Sequence, residues 1–440
     1  MLASFKKLVP EPIKSAYHYF QALLGALIFL FPAGKLKVIG VTGTDGKTTT
    51  VHLVYHILNS AQEKVSMVST VEAKIAQTAI DTGFHVTTPD PIKVQGLLKK
   101  MANSGSEYAV VEVTSHGLAQ GRVAFVKFFA GIITNITHEH LDYHGSYENY
   151  LEAKAKLLNG VNLRVLNADD KYFEKLKGRG GGQLISYGIK NSADYVAKSI
   201  KLGKIGSEFE VHFEEKKQKR SSRVRTRLVG EFNVYNILAA FALTSNLGIA
   251  TEQIISAIST FESVVGRMQS VDLGQDFDVI VDFAHTPIAL ENALRTLRSF
   301  TKGKLIAVFG SAGERDVGKR SMMGKVATQL ADVSIFTAED PRKENVNKII
   351  EKIAQGALNE GGIPERTFWK IADRTEAITT AIGSLASGGD VVAIFGKGHE
   401  RSLNIGGKEY PWSDEQVVRN ALKKKLEKKS SYSTHQNYGK

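Results

Sequence analysis

The stretch GVTGTDGKTTT, residues 40–50, pairs a glycine-rich turn with a Lys-Thr step that opens a predicted helix. An apolar strand ends at Val41, and the turn covers residues 42–46. Backbone amides in such a turn point at phosphate oxygens, and the N-terminus of the helix adds partial positive charge. Lys47 would contact the β- and γ-phosphates, and the Thr48 hydroxyl would bind Mg²⁺. The spacing predicts a nucleoside triphosphate site, although Val41 stands where the strict GxxxxGK pattern has glycine.

Side chains suited to a metal ion follow the next two predicted buried strands of this region. Glu112 ends the strand in YAVVEVT, and His140 and Lys154 come after the strand in FAGIITN. The carboxyl ends of parallel strands meet at one edge of a sheet, so we expect Glu112, His140 and Thr48 to lie close together. Singly, Glu112 could be the partner of a helix cap and His140 a hydrogen-bonded loop histidine. Together they predict a magnesium site, because that ion takes hard oxygen and nitrogen donors.

Two series of apolar strands alternating with helices must position these residues. The first runs from residue 36 to about residue 160, and the second, with strands in FDVIVDFAH, KLIAVFGSAG, DVSIFTAED and DVVAIFGKGHE, begins after Arg267. Between them, residues 194–228 alternate polar and apolar side chains, which is typical of antiparallel strands. Helices of the first series are predicted at 48–60, 91–103 and 147–158.

The predicted fold is therefore α/β, with a central P-loop ATPase domain followed by a doubly wound, Rossmann-like C-terminal domain. The central domain combines a mostly parallel sheet with an antiparallel side sheet. The 440 residues exceed what one hydrophobic core usually organises. We predict an apolar and amphipathic segment at 1–34, the central ATP-binding domain at 35–264, the C-terminal domain at 265–425 and a disordered basic tail at 426–440.

The net charge of +12, from 57 Lys and Arg against 45 Asp and Glu, raises the question of a nucleic-acid partner. The excess is concentrated in EEKKQKRSSRVRTR and LKKKLEKK, which contain none of the interleaved aromatic residues of a stacking platform. We expect a solvated hairpin and a basic tail, and no nucleic-acid binding. An anionic substrate or an anionic membrane surface explains the sign equally well. Cysteine is absent, which excludes disulfides, cysteine metal sites and thiol nucleophiles.

The apolar run ALLGALIFLF, residues 22–31, precedes the first strand. Ten residues are too few to cross a bilayer as a helix. A signal peptide is disfavoured, because export would separate the enzyme from its nucleotide. Two interpretations stay open: a helix packed on the body of the protein, or a peripheral membrane anchor whose Lys6, Lys7 and Lys14 face lipid headgroups.

Ten motifs occur in the order found in Mur ligases, over roughly residues 36–422. They are TGTDGKTTT, TTPD, EVTSHGLAQGR, TNITHEHLDYHGSYENYLEAK, GEFNVYNILAA, VGRMQ, VDFAHTP, FGSAGERDVGKR, AEDPR and GKGHE. Within that family the chain most resembles the MurE type, the UDP-N-acetylmuramoyl-tripeptide synthetases.

The resemblance implies a cytoplasmic, monomeric, ATP-dependent amide ligase of peptidoglycan precursor synthesis. Its substrates would be a UDP-N-acetylmuramoyl-L-alanyl-D-glutamate-type muramoyl peptide and a free amino acid, with meso-diaminopimelate favoured. In this family the acceptor carboxylate attacks the γ-phosphate of ATP, and the amino group of the incoming amino acid displaces phosphate from the acyl phosphate. Cations and amide dipoles would supply most of the transition-state stabilisation.

The resemblance also assigns roles by position. The catalytic residues would be Lys47, Glu112, His140 and Lys154. The triphosphate would be held by Gly43, Thr44, Asp45, Gly46, Lys47, Thr48 and Thr49. Asn233 and Asn236 would approach the adenine, and the second domain would contact the nucleotide through Arg267, Asp282 and His285.

The magnesium ligands would be Thr48, Glu112, His140 and Lys154, the last as a carbamate formed with CO₂. A carbamate turns a cationic side chain into an anionic oxygen ligand, which explains a lysine in a metal site. The alternative, a lysine on the surface of a helix, fits Lys156 better.

Two further sets would bind the substrates. The muramoyl peptide would contact Thr87, Thr88, Thr114, Gln120 and Arg122. The incoming amino acid would contact Arg315, Glu339, Asp340, Pro341, Arg342, Gly396 and Glu400. Arginines bind carboxylates bidentately and Glu400 can accept from an ammonium, although these residues could instead form a surface ion-pair network.

The chain departs from the family pattern at several positions. Asp340 replaces the asparagine of the DNPR tetrad, Val86 replaces an asparagine before the paired threonines, and Glu139 replaces an aspartate. The family usually begins with a uridine-diphosphate-binding domain of about a hundred residues, where this sequence has about 35. We expect the N-terminal segment to compensate, by docking as a helix or by bringing the enzyme to a lipid-linked acceptor.

Other functions remain as alternatives to this one. A related Mur-like, folylpolyglutamate or cyanophycin-type ligase would act on a different or lipid-linked acceptor, and the AEDPR and GKGHE loops speak against it. A membrane-associated nucleotide-binding protein without turnover is the alternative from another class. Intact Lys47, Glu112, His140 and Lys154 argue against the loss of catalysis.

Overall fold

The computed structural model describes residues 11–76, 78–80, 88–137, 139, 141–215 and 217–436. The chain divides into two compact units, Met1–Glu262 and Ser263–Lys440. The division falls close to the boundary that the sequence predicts between residues 264 and 265.

The first unit is built on one large sheet. Its strands are β1 (Lys37–Thr42), β2 (Val65–Val68), β3 (Ala73–Ile75), β4 (Thr78–Ile80), β5 (Tyr108–Glu112), β6 (Phe128–Ile133), β7 (Leu163–Asn167), β8 (Gln183–Gly188), β9 (Tyr195–Gly203), β10 (Gly206–Glu215) and β11 (Gln218–Thr226). Its helices are α1 (Glu11–Ile28), α2 (Lys47–Ser60), α3 (Pro91–Asn103), α4 (Ser115–Ala119), α5 (Leu141–His144), α6 (Tyr147–Ala155), α7 (Phe173–Lys177), α8 (Glu231–Asn246) and α9 (Thr251–Thr260).

The eleven strands follow the order β11-β10-β9-β8-β7-β6-β1-β5-β2-β3-β4. Strands β2 and β5–β8 are joined to β1 by parallel pairing, and β3, β4, β10 and β11 pair antiparallel at the two ends. The predicted mostly parallel sheet with antiparallel side strands is confirmed. The side strands are not a separate sheet, because β9 pairs in parallel with β8 and extends the central one.

Close packing at the centre of the sheet explains why β1 is an uninterrupted buried run. A Cβ atom at Gly40 would lie 2.5 Å from Leu157 Cδ1, so only glycine leaves room for the short 3₁₀ helix Lys156–Leu158 against the strand. Val38, Ala109 and Val111 lie in one hydrophobic core at this level of the sheet. The carboxyl ends of β1, β5 and β6 are thereby held side by side, which is where the candidate site lies.

Two of the predicted helices are found almost as expected. α2 begins one residue before the predicted residue 48, and α3 coincides with the predicted range. The third, predicted at 147–158, is α6 followed by the 3₁₀ turn Lys156–Leu158.

The second unit has a smaller sheet, in the order β12-β13-β17-β14-β15-β16, in which β12 pairs antiparallel with β13 and all other neighbours pair in parallel. Its strands are β12 (Gln269–Ser270), β13 (Asp278–Asp282), β14 (Leu305–Phe309), β15 (Val333–Phe336), β16 (Phe368–Lys370), β17 (Val391–Phe395), β18 (Ser402–Ile405) and β19 (Lys408–Pro411), the last two forming a separate hairpin. Its helices are α10 (Pro287–Arg298), α11 (Gly318–Leu330), α12 (Val346–Asn359), α13 (Arg374–Thr380) and α14 (Asp414–Gln436).

A buried ion pair connects two helices of this unit. Arg374, in the first turn of α13, donates from Nε and Nη2 to the two oxygens of Asp414, at 2.8 and 2.7 Å. Both side chains are fully excluded from solvent. Loss of either partner would leave a buried charge without compensation, so we regard the pair as part of the framework of the unit.

The C-terminal end of the chain differs from the sequence prediction, and the N-terminal end contains a packed helix, which is one of the two interpretations left open. α14 continues to Gln436, so residues 426–436 are helical where a disordered basic tail is predicted. The Lys, Leu and Glu residues up to Lys429 have high helix propensity, whereas the sequence SSYSTHQ that follows gives no local reason for the continuation. At the other end, α1 packs on α3 as part of the first unit: a Cβ at Gly25 would lie 3.2 Å from Ile92 Cα. No helix in the described part of the chain is both long and apolar enough to cross a bilayer.

Candidate active site

The phosphate loop lies between β1 and α2, and its glycines are required by close approaches. Gly46 has a left-handed φ of 82°, and a Cβ there would lie 2.2 Å from Asn236 Oδ1. A Cβ at Gly43 would lie 1.8 Å from Thr134 Oγ1. Any side chain at either position would therefore displace a polar group that borders the loop.

The end of β6 fixes the shape of the loop through Asp45. The carbonyl of Asp45 accepts hydrogen bonds from Thr134 Oγ1 at 2.6 Å and from Asn135 Nδ2 at 3.1 Å. The amide of Asp45 donates to Asn135 Oδ1 at 2.9 Å. Thr134 and Asn135 were not predicted as site residues, although both stand in the TNITHEH motif. The amide of Thr44 also donates to the Asn135 carbonyl, at 2.9 Å, so these contacts hold the loop in shape before any ligand binds.

Two lysines share one carbonyl group of the loop. Lys47 donates from Nζ to the carbonyls of Gly43 and Thr44, at 3.0 and 2.7 Å. Lys154 donates from Nζ to the same Gly43 carbonyl at 2.6 Å. The two amines therefore converge on the loop, one from α2 and one from α6.

Thr48 and Glu112 form the oxygen-rich part of the site. The Thr48 hydroxyl lies 3.1 Å from each carboxylate oxygen of Glu112, and the amide of Thr70 donates to Glu112 Oε2 at 2.9 Å. Both side chains are buried. A hydroxyl and a carboxylate in contact at the mouth of a phosphate loop fit Mg²⁺, which typically takes one or two protein oxygens and completes its shell with phosphate and water.

The remaining predicted metal ligands differ in how far they can be described. His140 lies outside the described residues. Within the described ranges, no three His, Cys, Asp or Glu side chains are close enough to hold a metal ion by themselves. A magnesium ion bound by Thr48 and Glu112 would take further ligands from the triphosphate and from water.

Lys154 is a buried residue and not a lysine on the helix surface. Its side chain is 1% exposed, whereas Lys156 on the next turn is exposed. Its Nζ lies 4.6 Å from the centre of the Tyr150 ring. Burial, reinforced by the charge of Lys47, holds the pKa of Lys154 well below its ordinary value. The amine is thus biased toward the neutral form, which is the form that reacts with CO₂.

Tyr150 links α6 to the phosphate loop. Its hydroxyl lies 3.0 Å from Thr44 Oγ1, which also accepts from the amide of Thr137 at 2.9 Å. Burial raises the pKa of Tyr150, so the phenol stays protonated at any physiological pH. Tyr150 was not predicted as a site residue, because a tyrosine on an amphipathic helix usually packs in the core.

The two asparagines predicted to approach adenine lie in the first turns of α8, next to the loop. Asn236 donates from Nδ2 to Asn233 Oδ1 at 3.0 Å, and Asn233 donates to the carbonyl of Val229 at 2.9 Å. Both are buried, and Asn236 is the residue against which Gly46 packs. The start of α8 therefore borders the phosphate loop.

Four of the five residues predicted to bind the muramoyl peptide form one network. Thr88 Oγ1 lies 3.0 Å from Thr114 Oγ1 and accepts from the Thr114 amide at 2.9 Å. Arg122 donates to the carbonyl of Thr88 at 2.9 Å and to Gln120 Oε1 at 2.8 Å. Gln120 in turn donates to the hydroxyl of Tyr143 at 3.0 Å. The fifth, Thr87, lies outside the described residues.

In the second unit, the predicted nucleotide contacts cluster at the end of β13. The carboxylate of Asp282 accepts from the amides of Met268 and Ala284, both at 2.7 Å. Burial raises its pKa, against the opposing effects of Arg267 and these amides. The Arg267 guanidinium lies 4.3 Å from the centre of the Phe283 ring, and His285 Nδ1 donates to the carbonyl of Phe283 at 3.0 Å.

The residues predicted to bind the amino acid follow β15 and β17. Asp340 and Lys397 are joined at 2.8 Å, and Lys397 also pairs with Glu400. The amide of Asn404 donates to the same oxygen of Asp340 at 2.8 Å. Lys397 is 1% exposed and was not predicted, although it stands inside the GKGHE motif. The aspartate that replaces the family's asparagine is thus the partner of a buried lysine.

Glu339 is the other unusual acid of this cluster. Its side chain is buried, and Oε2 has no hydrogen-bond partner among the described residues. Burial raises the pKa of Glu339 to about 7. A Cβ at Gly396 would lie 3.0 Å from Glu339 Cγ, so the glycine of GKGHE leaves the space that this acid occupies.

The two arginines of the predicted amino-acid site are at least partly open to solvent. Arg342 has a left-handed φ of 54°, and its amide donates to the carbonyl of Asn404 at 3.0 Å. Arg315 is exposed in the loop after β14, which is joined to residues 339–342 by a 2.9 Å hydrogen bond from the Gly313 amide to the Asp340 carbonyl. The two loops are thus joined through their backbones.

Comparisons with known families and relatives agree with this arrangement. The model of the Mur ligase middle domain matches residues 41–244, and that of the Mur ligase glutamate ligase domain matches residues 266–398. The chain is 38% identical over 426 residues to the UDP-N-acetylmuramoyl-L-alanyl-D-glutamate–2,6-diaminopimelate ligase of Geobacillus kaustophilus, covering 95% of this chain and 85% of that protein.

Two solved structures are similar in fold. A structure of a UDP-N-acetylmuramoyl-L-alanyl-D-glutamate–2,6-diaminopimelate ligase matches with a TM-score of 0.61 at 31% identity, over 89% of this chain and 79% of that one. The MurF ligase of Thermotoga maritima in complex with ADP matches with a TM-score of 0.68 at 19% identity, over 93% and 84%.

These findings confirm the family that the ten motifs indicate. They also confirm the ligase activity expected from it, with ATP as the nucleotide. The chain belongs to the Mur ligase family and is an ATP-dependent ligase.

Proposed function

We propose that the protein adds meso-diaminopimelate to a UDP-N-acetylmuramoyl-L-alanyl-D-glutamate-type acceptor during peptidoglycan precursor synthesis. The names of its relatives support the substrates. The observation that carries the proposal is the convergence of Lys47, Thr48, Glu112 and Lys154 on one phosphate loop. This arrangement supports transfer of a phosphoryl group to a carboxylate.

The residues of the loop would stabilise charge as the γ-phosphoryl group moves to the acceptor carboxylate. A bond forms between a carboxylate oxygen and the γ-phosphorus while the bond to the β-phosphate oxygen breaks, leaving ADP and an acyl phosphate. The amino group then attacks the acyl carbon, and phosphate leaves as the amide forms. Lys47 and the loop amides would oppose the repulsion among the negative groups in both steps.

Thr48 and Glu112 would hold magnesium. The ion supplies Lewis-acid stabilisation of the phosphate oxygens when bound. His140 would complete the protein ligands, as the family resemblance implies. Glu112 is itself held by the amide of Thr70, which keeps one of its oxygens in a fixed direction.

Lys154 would act as a carbamate. Its neutral amine would attack CO₂, forming an N–C bond and releasing a proton, and the product would present an anionic oxygen beside the loop. The supporting observations are complete burial, the depressed pKa of the amine and the contact with the Gly43 carbonyl. A carbamate would also place a negative charge near the Lys47 ammonium, whose own charge lowers the pKa of the Lys154 amine.

The incoming amino acid would be oriented by both signs of charge. Arg342 and Arg315 would bind a carboxylate, while Glu400, next to Lys397 and Asp340, would accept from an ammonium. Retained Arg342 disfavours lysine as the substrate, because the ammonium tip of lysine would meet like charge. Diaminopimelate presents a carboxylate together with an ammonium at that end.

We also propose that the enzyme works as a monomer in the cytoplasm, with residues 1–34 as its contact with the inner face of the membrane. The acceptor would be carried by UDP or by a lipid.

One incubation tests the proposed reaction. The protein would be mixed with ATP, Mg²⁺, UDP-N-acetylmuramoyl-dipeptide and a panel of amino acids that includes diaminopimelate and lysine, and the products weighed by mass spectrometry. The expected result is a product heavier by one diaminopimelate residue, with one ADP released per product. Extension by lysine alone, or ADP release without extension of any acceptor, would contradict the proposal.

A further inference from the structure

Helix α1 and the turn that follows it expose an apolar stripe. Nine of the eighteen large apolar side chains recorded as exposed among the described residues lie between residues 13 and 31. The stripe consists of Ile13, Tyr17, Phe20, Leu24, Leu27 and Phe31, spaced alternately by four and three residues. Such spacing places the five residues from Ile13 to Leu27 along one face of the helix, and Phe31 lies in the turn after it. The surface of a soluble protein rarely presents so many large apolar groups together, and such a patch usually marks a site that binds a partner or a membrane.

The opposite face of α1 is already in use. Ala22 and Ala26 are fully buried, and Gly25 packs against Ile92 of α3. On the other helix, Gly96 leaves room for the Phe29 ring, which would lie 3.3 Å from a Cβ at that position. Because small residues hold the inner face, the large side chains face away from the protein body.

The width of the exposed face distinguishes between two possible occupants, a lipid surface and a partner helix. In a coiled coil, charged residues flank a narrow seam and pair across it. Here Ile28 and Leu30, which flank the stripe, are themselves 58% and 74% exposed. No Asp, Glu, Lys or Arg occurs between Lys14 and Lys35. A broad apolar face without flanking charge pairs fits hydrocarbon better than it fits a second helix.

Most of the charges around the stripe are positive, the exceptions being Glu11, which begins α1, and Asp90, which precedes α3. Lys14 and Lys35 stand at its two ends, and α3, against which α1 packs, carries Lys93, Lys99 and Lys100 but no acidic residue. Lysines around an apolar face complement anionic lipid headgroups.

From this surface, and resting on the proposed cytoplasmic ligase, we infer that the stripe inserts into one leaflet of a membrane rich in anionic lipids. The helix lies in the plane of the headgroups, with Leu27, Leu30 and Phe31 deepest. The enzyme is thereby held at the surface where a lipid-carried acceptor, or the next enzyme that needs its product, would be found.

Vesicle flotation of the full chain tests this inference. Vesicles of phosphatidylcholine alone are compared with vesicles of equal parts phosphatidylcholine and phosphatidylglycerol. The stripe variant is Leu27→Asp with Leu30→Asp, and the matched control is Leu202→Asp with Ile205→Asp, two exposed apolar residues near the β9–β10 turn. We expect the wild type and the control to float with the anionic vesicles, and the stripe variant to bind at least about tenfold more weakly. Binding should also weaken as salt is raised.

Three results would overturn the inference. The first is equal flotation of the stripe variant and the control, and the second is no flotation of the wild type with either vesicle. The third is a wild-type dimer, measured by sedimentation without lipid, that the stripe variant alone converts to a monomer, since the face would then bind a second copy. Ligase activity with the UDP-linked acceptor should be equal in all three proteins, and its absence from all three would count against the proposed function instead.

Discussion

The phosphate loop of the first unit and the amino-acid loops of the second unit are built in opposite ways. In the first, small residues and backbone groups hold the loop, and the polar side chains of Lys47, Thr48 and Glu112 stand where the family pattern has them. In the second, Asp340 departs from the pattern, Lys397 is buried between two acids, and Glu339 is buried without a hydrogen bond to Oε2.

The difference follows from what each region must recognise. A triphosphate is the same in every member of the family, so the groups that meet it have little freedom to vary. The amino acid differs among members, and its site is a balance of charges that can be adjusted one side chain at a time. Backbone conformation adds to this, because Asp340 and Arg342 both have positive φ, at 42° and 54°. Changes to the first region should therefore abolish turnover, and changes to the second should shift selectivity or pH dependence.

The largest effect is expected from Lys47→Ala. The variant should lose between about a hundredfold and a thousandfold in kcat/KM, because the ammonium opposes charge that develops during phosphoryl transfer. Release of ADP in the presence of acceptor measures the loss. Wild-type turnover in this variant would show that the phosphate loop does not depend on Lys47 for catalysis, contrary to the comparison of the two regions.

Lys154→Ala should lower turnover by on the order of a hundredfold, because the proposed carbamate, an anionic ligand of the metal, would be lost. Short carboxylic acids added to the assay should restore part of the rate by replacing the carbamate. The exposed Lys156→Ala is the matched control and should keep full activity. Full activity of Lys154→Ala would show that the metal site is assigned wrongly.

Glu339→Gln should change how stability depends on pH. The pKa of Glu339 is raised from an ordinary 4.5 to about 7, so the stability that its protonated form contributes is fully present below about pH 4.5 and is lost as pH rises through about 7. The free energy of unfolding of the wild type should therefore fall relative to the variant, by about 3 kcal/mol between about pH 5 and about pH 8.

Denaturant unfolding of the full chain at several pH values measures this difference, with the exposed Glu365→Gln as a control for general effects of pH. A difference that does not vary with pH would mean that Glu339 is ionised throughout. Glu339 would then no longer support the contrast between the two regions, because its pKa would not be raised by burial.

Arg342→Ala should have the smallest effect on the reaction, and a selective one. Loss of a carboxylate contact should raise KM for the amino acid by about tenfold while leaving KM for ATP nearly unchanged. The exposed loop residue Arg366 provides a matched control, Arg366→Ala. An equal rise in both Michaelis constants would indicate that Arg342 does not belong to a separate amino-acid site.

What the sequence predicts well is what neighbouring residues determine. The phosphate loop, α2 and α3 follow from local patterns of glycine, apolar residues and helix signals, and the alternation of elements predicts both parallel sheets. The motif also assigns Lys154, and not Lys156, to the metal site. In the structure Lys154 is buried and Lys156 is exposed.

What it misses depends on contacts between distant residues. Thr134 and Asn135 hold Asp45 across about ninety positions of sequence, and such pairing has no local signal. Lys397 looks like a surface lysine until its two acidic partners are known. The joining of β9 to β8 depends on the edge of a sheet, which the alternation within residues 194–228 cannot reveal. The apolar character of α1 can be read from the sequence. The sequence does not show that the small side chains of the helix face the protein and the large ones face away from it.

The central claim is that Lys154 carries CO₂ beside the phosphate loop, and carbon-13 NMR of the protein equilibrated with labelled bicarbonate, ATP and Mg²⁺ tests it most directly. We predict a carbamate carbon signal in the wild type and in Lys156→Ala, and no such signal in Lys154→Ala. A wild-type spectrum without the signal, or a signal that persists in Lys154→Ala, would contradict the account.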